Sequence, residues 1–215
     1  MTDTATTPAS VWAEMMAGNE RFVAGTPLHP RQDVERRHEL EAVQRPMAAL
    51  FGCSDSRLAA EIIFDLGLGD LFVVRNAGQV MAESIAGSLE YAVEVLGVKL
   101  IVVLGHDACG AVAAAIGSVE PGAAPLPGNI RTLVQKITPA IYKLPSPRDE
   151  NGELMVADID PHEVGRMHLR DTVQELLQSS DIVARAVADG RLAVVGANYR
   201  LAEGRAYADI VIGEV

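Results

Sequence analysis

Two short stretches of this chain set chemically active side chains at spacings that packing alone does not require. The first is Leu50-Phe51-Gly52-Cys53-Ser54-Asp55-Ser56-Arg57. In extended backbone, residues two apart point the same way. Cys53, Asp55 and Arg57 are therefore predicted to project from one face at the carboxyl end of a strand. A soft thiolate, a carboxylate and a fixed cation in that order suit a metal site or a tuned nucleophile. The second stretch, Gly105-His106-Asp107-Ala108-Cys109-Gly110, follows the apolar run Lys99-Leu100-Ile101-Val102-Val103-Leu104. The chain has 2 cysteines, and both fall where a predicted strand ends, which is where open α/β sheets bind ligands.

Either cysteine alone reads as a small buried hydrophobe. His-x-x-Cys after one strand with Cys after another makes a Cys₂His set, one of those used by catalytic zinc with a fourth position left for water or substrate. The residues favour zinc on that chemistry. A Cys53–Cys109 disulfide is feasible but unexpected without a secretory signal. A zinc deaminase would need His-x-Glu and Pro-Cys-x-x-Cys, and neither is present. Asp55 and Arg57 read either as a structural ion pair beside a turn or as a carboxylate whose pKa and direction the arginine fixes. Arg75-Asn76-Ala77-Gly78 reads equally as an anion site or a simple turn. His29, His38, His162 and His168 have no partner at ligand spacing and are expected on the surface.

The elements that must hold these residues alternate. A helix is expected from Val11 to about Ala24 with Ser10 as its N-cap, and another from Val34 to Gln44. A strand over Met47–Phe51 precedes the first motif. Beyond it come a helix from Ala59 to Leu66, a strand over Leu71–Val74, a helix over 83–96, the third strand, and a helix to about Ile116. A helix through Ile137, an irregular segment marked by Pro139, Pro145, Pro147 and Asn151, and a helix opening at Pro161 follow. Ser180 caps a short helix, Arg191 to Val195 is a fourth strand, and Ala208 to Ile212 is an edge strand. The fold class expected is α/β: a central, mostly parallel sheet of four or five strands flanked by helices. Residues 1–10 read as a disordered lead-in and 11–215 as a single domain whose first part, 11–45, is an N-terminal helical arm.

With 18 Lys and Arg against 29 Asp and Glu, the net charge is −11. That acidity argues against non-specific nucleic-acid binding and against an anionic membrane surface. No apolar run has the length of a membrane span. The first ten residues show no signal peptide, so a cytoplasmic location is expected.

Cys53-Ser54-Asp55-Ser56-Arg57 with His106-Asp107-Ala108-Cys109-Gly110 resembles the β-class carbonic anhydrases of the bacterial, actinobacterial-like kind. The likeness extends from the helix containing Gly18-Asn19-Glu20-Arg21-Phe22 to the strand near Val194. The resemblance implies zinc held by Cys53, His106 and Cys109, with Asp55 and Arg57 as the catalytic dyad. It also implies an active-site glutamine, Gln44, from a neighbouring subunit, and a pocket formed by Phe72, Ala77, Gly78, Tyr91 and Gly110. Ala77 stands where valine is common, so the pocket is expected to be roomier. Leu50 stands where members with a regulatory bicarbonate site carry tryptophan, although Arg75 matches that site's arginine. The implied reaction is reversible hydration of carbon dioxide to bicarbonate and a proton by zinc-bound hydroxide. Two thiolates should make the zinc a weaker acid than three histidines would. In a closed form, Asp55 would turn onto the zinc below neutral pH. A homo-oligomer, dimer or tetramer, is implied, with the N-terminal helix on the partner. Three other readings share these residues: hydrolysis of an analogue such as carbon disulfide, a non-catalytic zinc-stabilised binding module, and a redox switch of the two cysteines.

Overall fold

Unbroken apolar runs form strands that are covered on both faces. β1 (Ala48–Cys53) and β3 (Leu100–His106) are such runs, and every residue in them is buried. With β2 (Leu71–Asn76), β4 (Ala193–Arg200) and β5 (Arg205–Ile212) they form a five-stranded sheet in the order β2-β1-β3-β4-β5. The first four strands run parallel and β5 returns antiparallel to β4. This α/β architecture is the one expected. The computed structural model describes residues 6–145, 148–150, 152 and 154–215.

Side chains alternate across the sheet, so each strand feeds two cores. Ala48, Leu50, Leu100, Val102 and Leu104 face α1 (Pro8–Val23) and α3 (Ala60–Ile63). Ala49, Phe51, Ile101 and Val103 face α4 (Glu83–Glu94), α8 (Pro161–Ser179) and α9 (Asp181–Ala188). A third cluster lies around Cys53 and Cys109. It is built from α5 (Gly110–Ser118), α6 (Gly128–Gln135) and α7 (Thr138–Lys143), with Val80 and Val164. A short helix, α2 (Val34–Glu39), precedes β1.

Several boundaries differ from expectation. Thr7, not Ser10, caps α1: the Ser10 amide donates to Thr7 Oγ1 and the Thr7 amide donates to Ser10 Oγ. Pro8 fills the first turn, where no amide donor is needed. Residues 8–10 are thus helical, while residues 1–5 of the expected lead-in lie outside the described residues. Helix α2 ends before Gln44 and α3 is one turn long. The segment read as irregular holds α7 and a 3₁₀ turn over Val156–Asp158; Pro147 and Asn151 lie outside the described residues. Strand β4 runs on past Val195, because Ala197 and Tyr199 continue its buried side.

Within one chain, Trp12, Met16 and Phe22 of the N-terminal helix pack partly buried against the first core. Val11 and Met15 are fully buried there. Gly18 allows this closeness: a Cβ there would stand 1.8 Å from the Phe64 carbonyl oxygen.

Candidate metal centre

Parallel pairing of β1 with β3 brings the two motifs to one end of the sheet. Cys53 and His106 are the last residues of their strands, and Cys109 is the N-cap of α5. The three residues are buried, and their ligand atoms all lie within 4.8 Å of one another. His106 Nδ1 is 2.8 Å from the Asp107 carbonyl oxygen. A carbonyl only accepts, so Nδ1 carries the proton and Nε2 keeps its lone pair. That Nε2 is buried with no hydrogen-bond partner. A buried nitrogen in this condition is costly unless something else satisfies it. The donor set and the free lone pair fit a divalent cation.

The two thiols respond to each other. The hydrogen bond with Cys109 draws the Cys53 thiol down to about 4; burial opposes this, and the Gly78 amide assists. The same bond pushes Cys109 up, although the amides of Ala111 and Val112 at the start of α5 favour its thiolate. Without an ion the pair therefore favours one thiolate, on Cys53, whereas metal ligation takes the proton from both sulphurs.

Asp55 and Arg57 meet as a two-pronged pair. Arg57 Nε donates to Asp55 Oδ1 at 2.9 Å and Nη2 to Oδ2 at 2.7 Å, and the Arg57 amide also donates to Oδ1. The guanidinium holds the Asp55 carboxyl well below the usual carboxylate range. Arg57 Nη2 reaches the Ala108 carbonyl as well, so one side chain ties the first motif to the second. Arg75 is neither a bare anion site nor a plain turn residue. Its Nε donates to the Cys53 carbonyl at 2.9 Å and its Nη2 to the Asp55 carbonyl at 2.7 Å. It clamps the Cys53–Asp55 backbone from β2, a role that sequence spacing alone does not reveal.

Ala77 and Gly78 follow β2, Gly78 with its amide on Cys53 Sγ, and Gly110 opens α5 beside Cys109. Three expected site residues are not brought here within one chain. Phe72 pairs with Ala49 while Asn76 pairs with Cys53. Four residues of strand separate the two levels, roughly 13 Å. Tyr91 stacks at a tilt on Phe72, with ring centroids 6.1 Å apart. Gln44 is exposed and lines a shallow cleft with Pro46, Met47 and Lys99, at the amino ends of β1 and β3.

Of the four histidines expected on the surface, His29 and His38 are exposed and His162 is half-buried. His168 corrects the expectation: it is 3% exposed and its ring is bonded to a backbone carbonyl. An apolar helix face around it, with Val164, Leu169 and Thr172 buried, was the signal that could have shown this.

A protein-family model described as carbonic anhydrase matches residues 48–206, from the first residue of β1 into β5. The chain belongs to the carbonic anhydrase family, in its β class. Carbonic anhydrase 2 of Mycobacterium tuberculosis is 47% identical over 210 residues, covering 98% of this chain and 97% of the relative. The carbonic anhydrase of Mycolicibacterium smegmatis is 45% identical over 208 residues, covering 97% and 96%. Among solved structures, the β-carbonic anhydrase CafA of Aspergillus fumigatus is similar with a TM-score of 0.68 and 26% identity, covering 92% of this chain and 90% of that one.

Proposed function

We propose that this enzyme catalyses the reversible hydration of carbon dioxide to bicarbonate and a proton, with zinc held by Cys53, His106 and Cys109. The observation that carries the reading is the buried, unpartnered Nε2 of His106 facing two thiols. When bound, zinc supplies Lewis acidity that lowers the pKa of water, from about 15.7 to about 7 in the three-histidine carbonic anhydrases from which the figure comes.

The chain's own residues do the rest. Asp55 accepts a hydrogen bond from the attacking water, and Arg57 fixes the direction of that carboxylate. Gln44 donates to a substrate oxygen. Carbon dioxide is apolar, so Phe72, Ala77 and Tyr91, with the bare backbone of Gly78 and Gly110, give it a wall without strong polar contacts. Phe72, Tyr91 and Gln44 are too far from their own Cys53 to serve it, so a second copy of the chain has to supply them. The working unit is then a homo-oligomer, dimer or tetramer; a β-carbonic anhydrase of Sordaria macrospora with a TM-score of 0.67 and 26% identity, covering 80% of this chain and 84% of that one, is described as tetrameric. Residues 11–215 act as one domain. Two free thiols so close together call for a reducing compartment, which supports a cytoplasmic location.

Asp55 has a second use. A modest backbone rotation would turn its carboxylate from Arg57 towards the zinc, where it would exclude water. Arg57 opposes this by offering another partner. Activity is expected to be low below neutral pH and to appear in mild alkali.

The test joins metal analysis to stopped-flow hydration across pH. Cys53→Ser, His106→Ala and Cys109→Ser should each lose zinc and activity together. Full zinc content with an unchanged hydration rate in any one of them would sink the assignment.

A further inference from the structure

His168 has no part in the chemistry proposed above, yet it is buried and held in one orientation. Its Nε2 lies 2.7 Å from the carbonyl oxygen of Gly78, and since a carbonyl only accepts, Nε2 must carry a proton. Burial holds the imidazole below the ordinary histidine pKa, so the ring is neutral and the tautomer is fixed. Gly78 in turn directs its own amide at Cys53 Sγ, 3.3 Å away. The bonded carbonyl and the bonded amide lie on the two peptide groups that meet at the Gly78 Cα. Fixing one restricts the swing of the other.

The loop between β2 and α4 needs such a hold. Gly78 and Gln79 are both left-handed, with φ of 78° and 40°, and the second is not a glycine, so its conformation is strained. Asn76 closes the loop through both side-chain atoms: Oδ1 accepts from the Val80 amide and Nδ2 donates to the Val80 carbonyl. On the far side, a Cβ at Gly78 would stand 2.8 Å from the Cβ of Ala111. The loop is thus wedged between α8, which carries His168, and the start of α5, which carries Cys109.

We infer that His168 is a positioning residue for the metal centre: by holding the Gly78 carbonyl it keeps the Gly78 amide on the Cys53 sulphur and so directs one of the two sulphur ligands. The inference rests on Cys53, His106 and Cys109 holding a metal. It extends that reading to a residue from the far half of the chain. Partners behind a ligand orient it, and their loss commonly costs 10–100-fold in metal affinity.

The experiment uses full-length wild type, Cys53→Ser, His168→Leu and His168→Gln. Glutamine keeps an N–H donor with about the reach of Nε2; leucine fills space without one. Two quantities are measured: the zinc dissociation constant by chelator competition, and the thiolate-to-cobalt charge-transfer band of the cobalt-loaded protein. His168→Leu should weaken zinc binding about 10–100-fold and move the band. His168→Gln should stay within about threefold of wild type, well short of that loss of about 10–100-fold, with the band in place. If wild type binds no zinc, or Cys53→Ser binds it as well as wild type, the metal reading fails and the inference falls with it. If wild type binds zinc and His168→Leu matches it in affinity and band, the metal reading stands and the positioning role is overturned. Equal weakening in the leucine and glutamine variants would mark a packing role and overturn it too. Should His168→Leu not fold, His168→Asn, whose amide is one bond too short to reach Gly78, takes its place with the same expectations.

Discussion

The backbone amide of Ala206 on β5 donates to the side-chain oxygen of Asn19 on α1 at 2.9 Å, across 187 positions of sequence. The other end of the same amide group donates to the carbonyls of Ile63 and Gly204. One fully buried side chain therefore satisfies three backbone groups and fastens the first helix to the last strand.

Asn19→Ala removes all three partners and leaves the buried backbone groups unsatisfied. At about 1–3 kcal/mol for each group that water cannot reach, partly offset by relaxation, the loss should be about 2–5 kcal/mol. Urea unfolding of wild type and variant measures it. A loss under about 1 kcal/mol would mean that water replaces the amide and that α1 is held by apolar packing alone.

Gly78→Ala should be costly for two separate reasons. The new Cβ would meet Ala111 Cβ at 2.8 Å and Ile137 Cδ1 at 2.9 Å, and the backbone there is left-handed at φ +78°. Overpacking of about 1–3 kcal/mol adds to strain of similar size. The expected outcome is a fall in Tm of roughly 5–15 °C at this chain length together with weaker zinc retention on dialysis. Retained stability with normal zinc content would show that the loop yields without disturbing Cys53.

Asp65 gives a pH-dependent prediction away from the active site. Burial pushes its carboxyl up, but the Leu28 amide, the Arg21 guanidinium and the His29 amide together leave its pKa below the ordinary value. A folded-state pKa below the unfolded one gives stability that is full above the unfolded value and lost as pH falls through the folded one. Asp65→Asn should therefore be less stable than wild type by about 3 kcal/mol near neutrality. The gap should narrow as pH drops below about 4. Denaturation at several pH values checks this; a gap that stays constant into acid would assign the loss to shape and not to charge.

Arg57→Ala frees the Asp55 carboxylate from its two-pronged partner. Hydration should fall about 10–100-fold, the range for losing a supporting group beside a metal ligand, and should stay depressed in alkali, with zinc still bound. Arg57→Lys should recover only part of the rate, because an ammonium cannot grip both carboxylate oxygens in the same plane. Stopped-flow rates across pH and zinc X-ray absorption on the same samples decide it. A wild-type pH profile in Arg57→Ala would remove the arginine from the competition.

The sheet and the Cys53–His106–Cys109 cluster were legible because each rests on a local signal. Apolar runs mark β1 and β3, and a thiol or imidazole at the end of each run marks the crevice. Pro161 and Ser180 announced α8 and α9 for equally local reasons: Asp160 and Ser180 accept from the first amides of those helices. What was missed depends on tertiary contact. His168 was read as a surface histidine because it was judged by metal-ligand spacing and not by the apolar face of α8 on which it lies; that this face covers the loop at Gly78 no local pattern tells. Arg75 was undecided because its partners are backbone carbonyls 20 and 22 positions earlier, which no side-chain pattern records. Helix α7 was hidden by the prolines around it, although Pro139 falls in its first turn, where proline is tolerated. Thr7 lost the cap to Ser10 in the sequence reading because the two residues cap each other.

The position of α8 in the chain sets an order of events during synthesis. Cys53, His106 and Cys109 all lie on or directly after the strands made first, and β2 and β3 flank β1 without β4. Chains emerge N-terminus first at about 5–20 residues per second, so the three ligands leave the ribosome several seconds before His168. During that interval the nascent chain carries a complete set of metal donors without the helix that covers the Gly78 loop. Which cation is captured then is governed by what the cell offers at that moment. If His168 holds the Gly78 loop as inferred above, metal bound before α8 arrives should exchange faster than metal bound after it.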